Sequence, residues 1–159
     1  MIIAVDPGVN EAGVALFEDG ELVAAWLSRG CGWHSTSRQV CSDVSGRFSP
    51  YALDEIVIEA PQIYKQRLLK GDPNDLVDVA LCAGAVAGGL AAWSQEASVQ
   101  VYFPAQWKKQ VPKRIKNKRD IAKLTDEENG RVEWPRGKED KTHVADAIGI
   151  GLYQLKRRS

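Results

Sequence analysis

The chain has 159 residues, 44% of them hydrophobic and 26% charged, and its acids and bases cancel to a net charge of zero. Those figures fit one globular domain with an ordinary soluble composition, large enough to bury a core without disulfide or metal staples. The balance conceals an asymmetry: residues 1–59 carry nine acids against three bases, and residues 60–159 carry eighteen bases against twelve acids, which points the second half toward a polyanion, a merely dipolar surface being the plainer alternative.

In chain order, "MIIAVDPG" predicts a short buried strand ending at Asp6 in a Pro-Gly turn. "AGVALFEDGELVAAWLS" predicts two further strands around Asp19-Gly20, a strong hairpin signal. Residues 29–50 are polar and Gly/Ser-rich, with a helix expected over 36–48. "DEIVIEAPQ" predicts a fourth strand, Ile56-Val57-Ile58 running into Glu59 and stopped by Pro61; the unbroken apolar run suits a strand covered on both faces. "YKQRLLKGDPN" (64–74) reads as a basic loop or broken helix, Asp75 to about Gln95 as a long helix rich in Ala and Gly, and "SVQVYFP" as a fifth strand ended by Pro104. The remainder predicts helices: a short one at "AQWKK", one through "KNKRDIAKLT", one at "DEENGRVEW", and a last from about Lys141 to Leu155. Three strands, helix, strand, helix, strand, then helices is an α/β arrangement, a mixed five-stranded sheet flanked by helices, in a single domain over 1–159 with no repeat or linker.

Met1 leads straight into the first strand without a basic stretch and apolar core of signal-peptide type. The longest apolar run, 79–93, is too short to span a bilayer, so a cytoplasmic protein with no membrane association is the expectation. Cys31, Cys41 and Cys82 form no CxxC pair and read as reduced thiols. Cys31, His34 and Cys41 supply three zinc ligands where a structural site wants four.

Two acids end strands, Asp6 and Glu59, and α/β folds place functional side chains at strand ends. Each has a plain alternative: Asp6 as a cap of the Pro7-Gly8 turn, Glu59 as a surface acid. In "DKTHVADAIGIG" (140–151), His143 and Asp146 are three apart and share a helix face, with Asp140 one turn earlier. Val144, Ile148, Leu152 and Leu155 make a different stripe, expected to pack on the sheet. Here the alternative is Asp146 favouring the helix dipole, with His143 incidental. Acids clustered with an imidazole and no basic partner repel one another, and metal cations resolve that repulsion. Such a set suits two cations roughly 3.5–4 Å apart, the arrangement that stabilises attacking and leaving oxygens in phosphodiester hydrolysis. Oxygen ligands favour magnesium (Mg2+), and one imidazole makes manganese (Mn2+) acceptable.

"IIAVDPGVNEAGVAL" resembles the opening strand and hairpin of the RuvC-type Holliday junction resolvases of the ribonuclease H-like superfamily. "IVIEAPQIY" resembles their second acidic strand, "HVADAIGIGLY" their closing helix with its D/H-x-x-D pair, and "PAQWKKQVPK" a segment of phage-encoded members. DPG followed by Gly13 also occurs in sugar kinases and actin-like ATPases, which need two lobes and a longer chain. The resemblance implies a ribonuclease H-like fold and a junction endonuclease acting in a bacterial cytoplasm, host- or phage-encoded. It implies two ions per site held by the catalytic ligands Asp6, Glu59, His143 and Asp146, and cleavage leaving a 5′ phosphate and a 3′ hydroxyl. Members often carry an aromatic residue three positions after the strand glutamate, used against bases at the junction centre; here that position is Gln62 and the aromatic is Tyr64. Asp140 lies outside the matched pair.

Lys65, Arg67 and Lys70 follow the second acidic strand, and Lys108, Lys109, Lys113, Arg114, Lys116, Lys118 and Arg119 crowd "QWKKQVPKRIKNKRD". Such clusters neutralise phosphates and bind DNA in a salt-dependent way. Trp107 is a candidate for base stacking, with packing as the plainer role. A junction has two symmetric scissile strands, so a twofold homodimer is expected, with the Ala/Gly-rich helix as a plausible contact. The competing expectations are a related nuclease acting on other branched DNA or on RNA precursors, and a non-catalytic DNA-binding relative.

Overall fold

The computed structural model describes residues 1–62, 72–108 and 123–156. Its first three strands, β1 (Ile2–Asp6), β2 (Glu11–Glu18) and β3 (Glu21–Arg29), form the expected antiparallel meander. Asp19 and Gly20 close the second hairpin with φ of 50° and 85°, the double positive φ whose twist matches paired strands. Two parallel strands complete the sheet, β4 (Glu55–Glu59) beside β1 and β5 (Ser98–Tyr102) beside β4, giving the order β3-β2-β1-β4-β5.

Side-chain alternation divides the core in two. Ile3, Val5, Ile56 and Ile58 face helix α1 (Trp33–Arg47) and helix α2 (Pro73–Trp93). Ala4 and Val57 face the last helix, α5 (Lys138–Gln154). β4 is thus covered on both sides, as its apolar run requires, and each of its three central side chains contributes about 1.5–3 kcal/mol by burial. Val144, Ile148 and Leu152 of α5 are fully buried against the sheet, as their spacing predicts.

Several boundaries differ from expectation for local reasons. α1 begins at Trp33 because Gly32, with φ 85°, turns the chain without a side-chain cap. α2 begins at Pro73, with Asp72 accepting a hydrogen bond from the Asn74 amide at 2.9 Å. Short helix α3 (Pro104–Trp107) follows β5. α4 (Asp126–Gly130) ends sooner than "DEENGRVEW" suggests: Glu128 closes a capping box with Thr125, and the chain then extends so that Val132 bridges Ala25 of β3. The helix expected through "KNKRDIAKLT" falls mostly outside the described residues; Lys123 to Thr125 are not helical. α5 starts three residues before Lys141, which moves His143 and Asp146 into its second and third turns. That corrects the reading of Asp146 as a residue placed for the helix dipole, whose effect is confined to the first turn.

One expectation about membranes also needs correction. The helical stretch Asn74–Trp93 is 20 residues long and, by length and composition alone, apolar enough to cross a bilayer. One such helix is weak evidence, and its Cys82, Val86 and Leu90 are fully buried in the core beneath the sheet.

Candidate metal centre

β1 and β4 run in parallel and in register, Val5 opposite Ile58, so their next residues, Asp6 and Glu59, end side by side. Both belong to the alternation that points toward α5. That helix lies against β1 and β2 because Gly13, the β2 partner of Asp6, has no side chain: a Cβ there would fall 1.9 Å from the His143 carbonyl oxygen. The close crossing brings Asp146 to the two strand ends. Asp6, Glu59 and Asp146 are all buried, and one ligand oxygen from each lies within 4.8 Å of the others.

His143 joins this group through Asp6. Its Nδ1 is 2.8 Å from Asp6 Oδ2, and an ionised carboxylate only accepts, so the imidazole donates. It stands beside the three-carboxylate group rather than within it. Asp140 pairs instead with Arg29, the last residue of β3, at 2.5 Å, and Arg29 also reaches Glu11 at 3.4 Å. Cys31, His34 and Cys41 form no cluster of ligating atoms among the described residues.

The expectation of acids without a basic partner does not hold. Lys108 Nζ lies 3.0 Å from Glu59 Oε1 and 3.3 Å from Asp146 Oδ2. Its neighbour Trp107, fully buried, donates Nε1–H to Glu59 Oε2 at 2.7 Å. Both oxygens of Glu59 are therefore held from α3 and the residue after it. Trp107 reaches Glu59 because Gly149 of α5 lets the indole lie against the helix; a Cβ on Gly149 would meet the ring at 2.4 Å. Packing, the plainer expectation for Trp107, is borne out, with a hydrogen bond to the acid in addition. Gln62, where the sequence resemblance leads to an aromatic being expected, accepts a hydrogen bond from the Ala105 amide at 3.2 Å. Tyr64, Lys65, Arg67, Lys70, Lys109, Lys113, Arg114, Lys116, Lys118 and Arg119 lie outside the described residues.

Burial and mutual repulsion govern the charges. Burial pushes Glu59 up to about 7, with Asp6 adding to the rise and Lys108 opposing it. Asp6 is also raised, by burial, against the lowering effect of its His143 hydrogen bond. That hydrogen bond is the main reason His143 is raised. For Lys108, burial opposes the charge, but Asp146 and Glu59 outweigh it and the ammonium is held above its ordinary value. A carboxyl raised in the folded state stabilises the fold while protonated. The Glu59 contribution is therefore fully present below its ordinary value of 4.5 and lost as pH rises through about 7. His143, raised from 6.5, has the same sign, stabilising below that value and losing its contribution above it. In chelator, the melting temperature should therefore fall from about pH 5 to about pH 8, and Glu59→Gln should flatten the fall. A melting temperature that climbs across that window would contradict this electrostatic reading.

The donor set suits a hard divalent cation: three carboxylates converge in a buried pocket, and a cationic group already sits among them at ion-pair distance.

No protein-family model and no curated protein matches the chain. Solved structures do. The structure of T. thermophilus RuvC in complex with a Holliday junction substrate matches with a TM-score of 0.64, covering 99% of this chain and 97% of that one at 17% sequence identity. The fold is that of RuvC. A second structure of Thermus thermophilus RuvC matches with a TM-score of 0.57 at 17% identity, over 99% and 98% of the two chains. The yeast mitochondrial Holliday junction resolvase Ydc2 matches with a TM-score of 0.56 at 13% identity, over 98% of this chain and 79% of its own. The RuvC architecture thus spans the chain nearly end to end, and the ribonuclease H-like sheet expected from the sequence is the one found.

Proposed function

We propose that this protein is a divalent-metal-dependent endonuclease that resolves four-way DNA junctions. The observation that carries this reading is the convergence of Asp6, Glu59 and Asp146 at the carboxyl ends of two parallel strands of a RuvC fold, the edge where open α/β sheets place their ligands. Asp6, Glu59 and Asp146, with His143 beside them, would hold the ions, which when bound supply charge stabilisation and activation of water for phosphodiester hydrolysis; magnesium suits the oxygen donors, and two ions suit the chemistry.

The chain's own groups do the positioning. His143 fixes the orientation of the Asp6 carboxylate, and Trp107 fixes that of Glu59. Burial of all three acids keeps bulk water from competing for them. The basic residues of 65–70 and 109–119 supply phosphate neutralisation by their charge, and with it a steep salt dependence. The products would be a 5′ phosphate and a 3′ hydroxyl.

Two symmetric cuts call for two sites, and α2 offers a surface for a second copy. Val77, Leu81, Gly84 and Gly88 share one helical stripe, and all four are exposed. A Cβ on Gly84 or Gly88 would meet nothing within 4 Å, so another helix has room to approach. Beside it, Val99 and Val101 of β5 are 39% and 53% exposed, and Phe103, which follows the strand, 49%. Exposed apolar side chains on two neighbouring elements support an interface there. Leu81→Asp should raise the dimer dissociation constant by about tenfold or more in sedimentation analysis. A parent protein that is monomeric at every concentration would remove the dimer from the reading.

The deciding assay incubates a synthetic mobile four-way junction with magnesium, manganese or chelator. Flap, duplex and RNA substrates run alongside, and products are resolved at nucleotide resolution. Paired symmetric nicks in the junction, dependent on metal, are the expected result. Preferential cutting of flaps or RNA would assign the site to another substrate, and absence of divalent binding by calorimetry would favour a DNA-binding protein without catalysis.

A further inference from the structure

We propose that Lys108 is a resident cation of the carboxylate cluster and that a divalent ion enters by exchanging with its ammonium. This rests on the metal-dependent reading above and adds a step to it: loading is an ion exchange rather than the filling of a bare anionic pocket.

Lys108 Nζ sits between Glu59 Oε1 at 3.0 Å and Asp146 Oδ2 at 3.3 Å. These belong to two of the three carboxylates that converge on one centre. One ammonium therefore already satisfies oxygens that an ion would need. A surface lysine swings freely, but this one is constrained. It follows directly on buried Trp107, whose indole is hydrogen-bonded to the other oxygen of Glu59 and whose ring lies 5.2 Å from Nζ. The two neighbours divide the labour. Trp107 holds Glu59 Oε2 without carrying charge, so it stays compatible with a bound cation. Lys108 holds Oε1 with a full charge and does not, since an ammonium and a divalent ion at the same oxygens repel. The Lys108 side chain is 37% exposed, so it has an open route outward when displaced.

The linkage is reciprocal: whatever the ammonium contributes to the metal-free cluster is subtracted from the apparent affinity of the entering ion. With two carboxylates at ion-pair distance in a partly buried site, removing the competitor should tighten binding by about ten- to a hundredfold.

The test is Mn2+ and Mg2+ titration of the full chain by calorimetry at mildly alkaline pH, comparing parent, Lys108→Met, Lys108→Gln and Lys108→Arg. Tighter binding in the Met and Gln proteins, with Arg restored to the parent value, is expected. An unchanged or weakened affinity in both neutral variants overturns the exchange while leaving the metal site standing. If neither parent nor variants bind either ion, the exchange and the metal-dependent reading fall together. A readout that needs no variant to fold independently is the Lys108 side-chain Cε resonance in the parent protein. It should shift toward that of a solvated lysine as Mg2+ saturates the site, and a signal that stays put at saturation overturns the proposal. Ion uptake by the parent with the ammonium still in place does the same.

Discussion

Asp6→Asn and Asp146→Asn proteins should hold a four-way junction and leave it uncut. Each substitution keeps the size and most of the hydrogen-bonding capacity of the side chain and removes one negative charge from the buried cluster. Affinity for DNA is expected to survive within about threefold when measured in chelator or calcium, because on the proposed reading the lysines and arginines of the second half supply most of it by neutralising phosphates. Cleavage is expected to fall by at least about a thousandfold, some 4 kcal/mol of transition-state stabilisation, because cations then lose a ligand at the reacting strand. The two substitutions should differ in one respect. Asp6→Asn also alters the hydrogen bond with His143, 2.8 Å away, and so should lower the pKa of the imidazole, which that carboxylate raises. Asp146→Asn leaves that pair intact and removes one of the two partners of Lys108. Near-normal cleavage by either protein, on the junction the parent cuts, would show that these acids do not run the chemistry.

The acids were legible because the signals that mark them are local. A strand ending in an acid before Pro-Gly, a second apolar strand ending in Glu59, and a His-x-x-Asp turn on one helix face can each be read within a dozen residues. What brings them together is not local. The in-register parallel pairing of β1 with β4 and the approach of α5 across Gly13 are tertiary facts that no local signal carries. Lys108 shows the difference most plainly. From the sequence it is one of seven basic residues in a charged run, and the natural inference is a phosphate contact. Its position between Glu59 and Asp146 follows from β5 pairing with β4 and α3 following at once, over a separation of 49 residues from Glu59. The starts of α1 and α5 were misplaced for a shared reason: glycine at each N-cap makes no side-chain hydrogen bond, so neither start carries the Ser, Thr, Asp or Asn that signals one. α2 was placed two residues late because its polar first turn hides a helix reaching back to Pro73.

Gly13→Ala is expected to cost more stability than its size suggests, about 3–5 kcal/mol. The obstacle is backbone against backbone. The added Cβ would stand 1.9 Å from the His143 carbonyl oxygen and 2.8 Å from the Val144 nitrogen, and neither can move by a change of rotamer. Relief requires α5 to lift from β2, exactly where that helix delivers His143 and Asp146 to the strand ends. Fold and site are therefore coupled at one residue: any variant population that stays folded should bind divalent ions poorly, because Asp146 is withdrawn from Asp6 and Glu59. Gly46→Ala, in α1, is the control. It lies within a helix, meets nothing within 4 Å, and should stabilise the chain by up to about 1 kcal/mol through helix propensity. Denaturant unfolding of the two variants, followed by metal titration of whatever remains folded, separates the effects. If Gly13→Ala unfolds at the parent midpoint and binds metal normally, the close crossing of α5 over β2 is not what assembles the cluster.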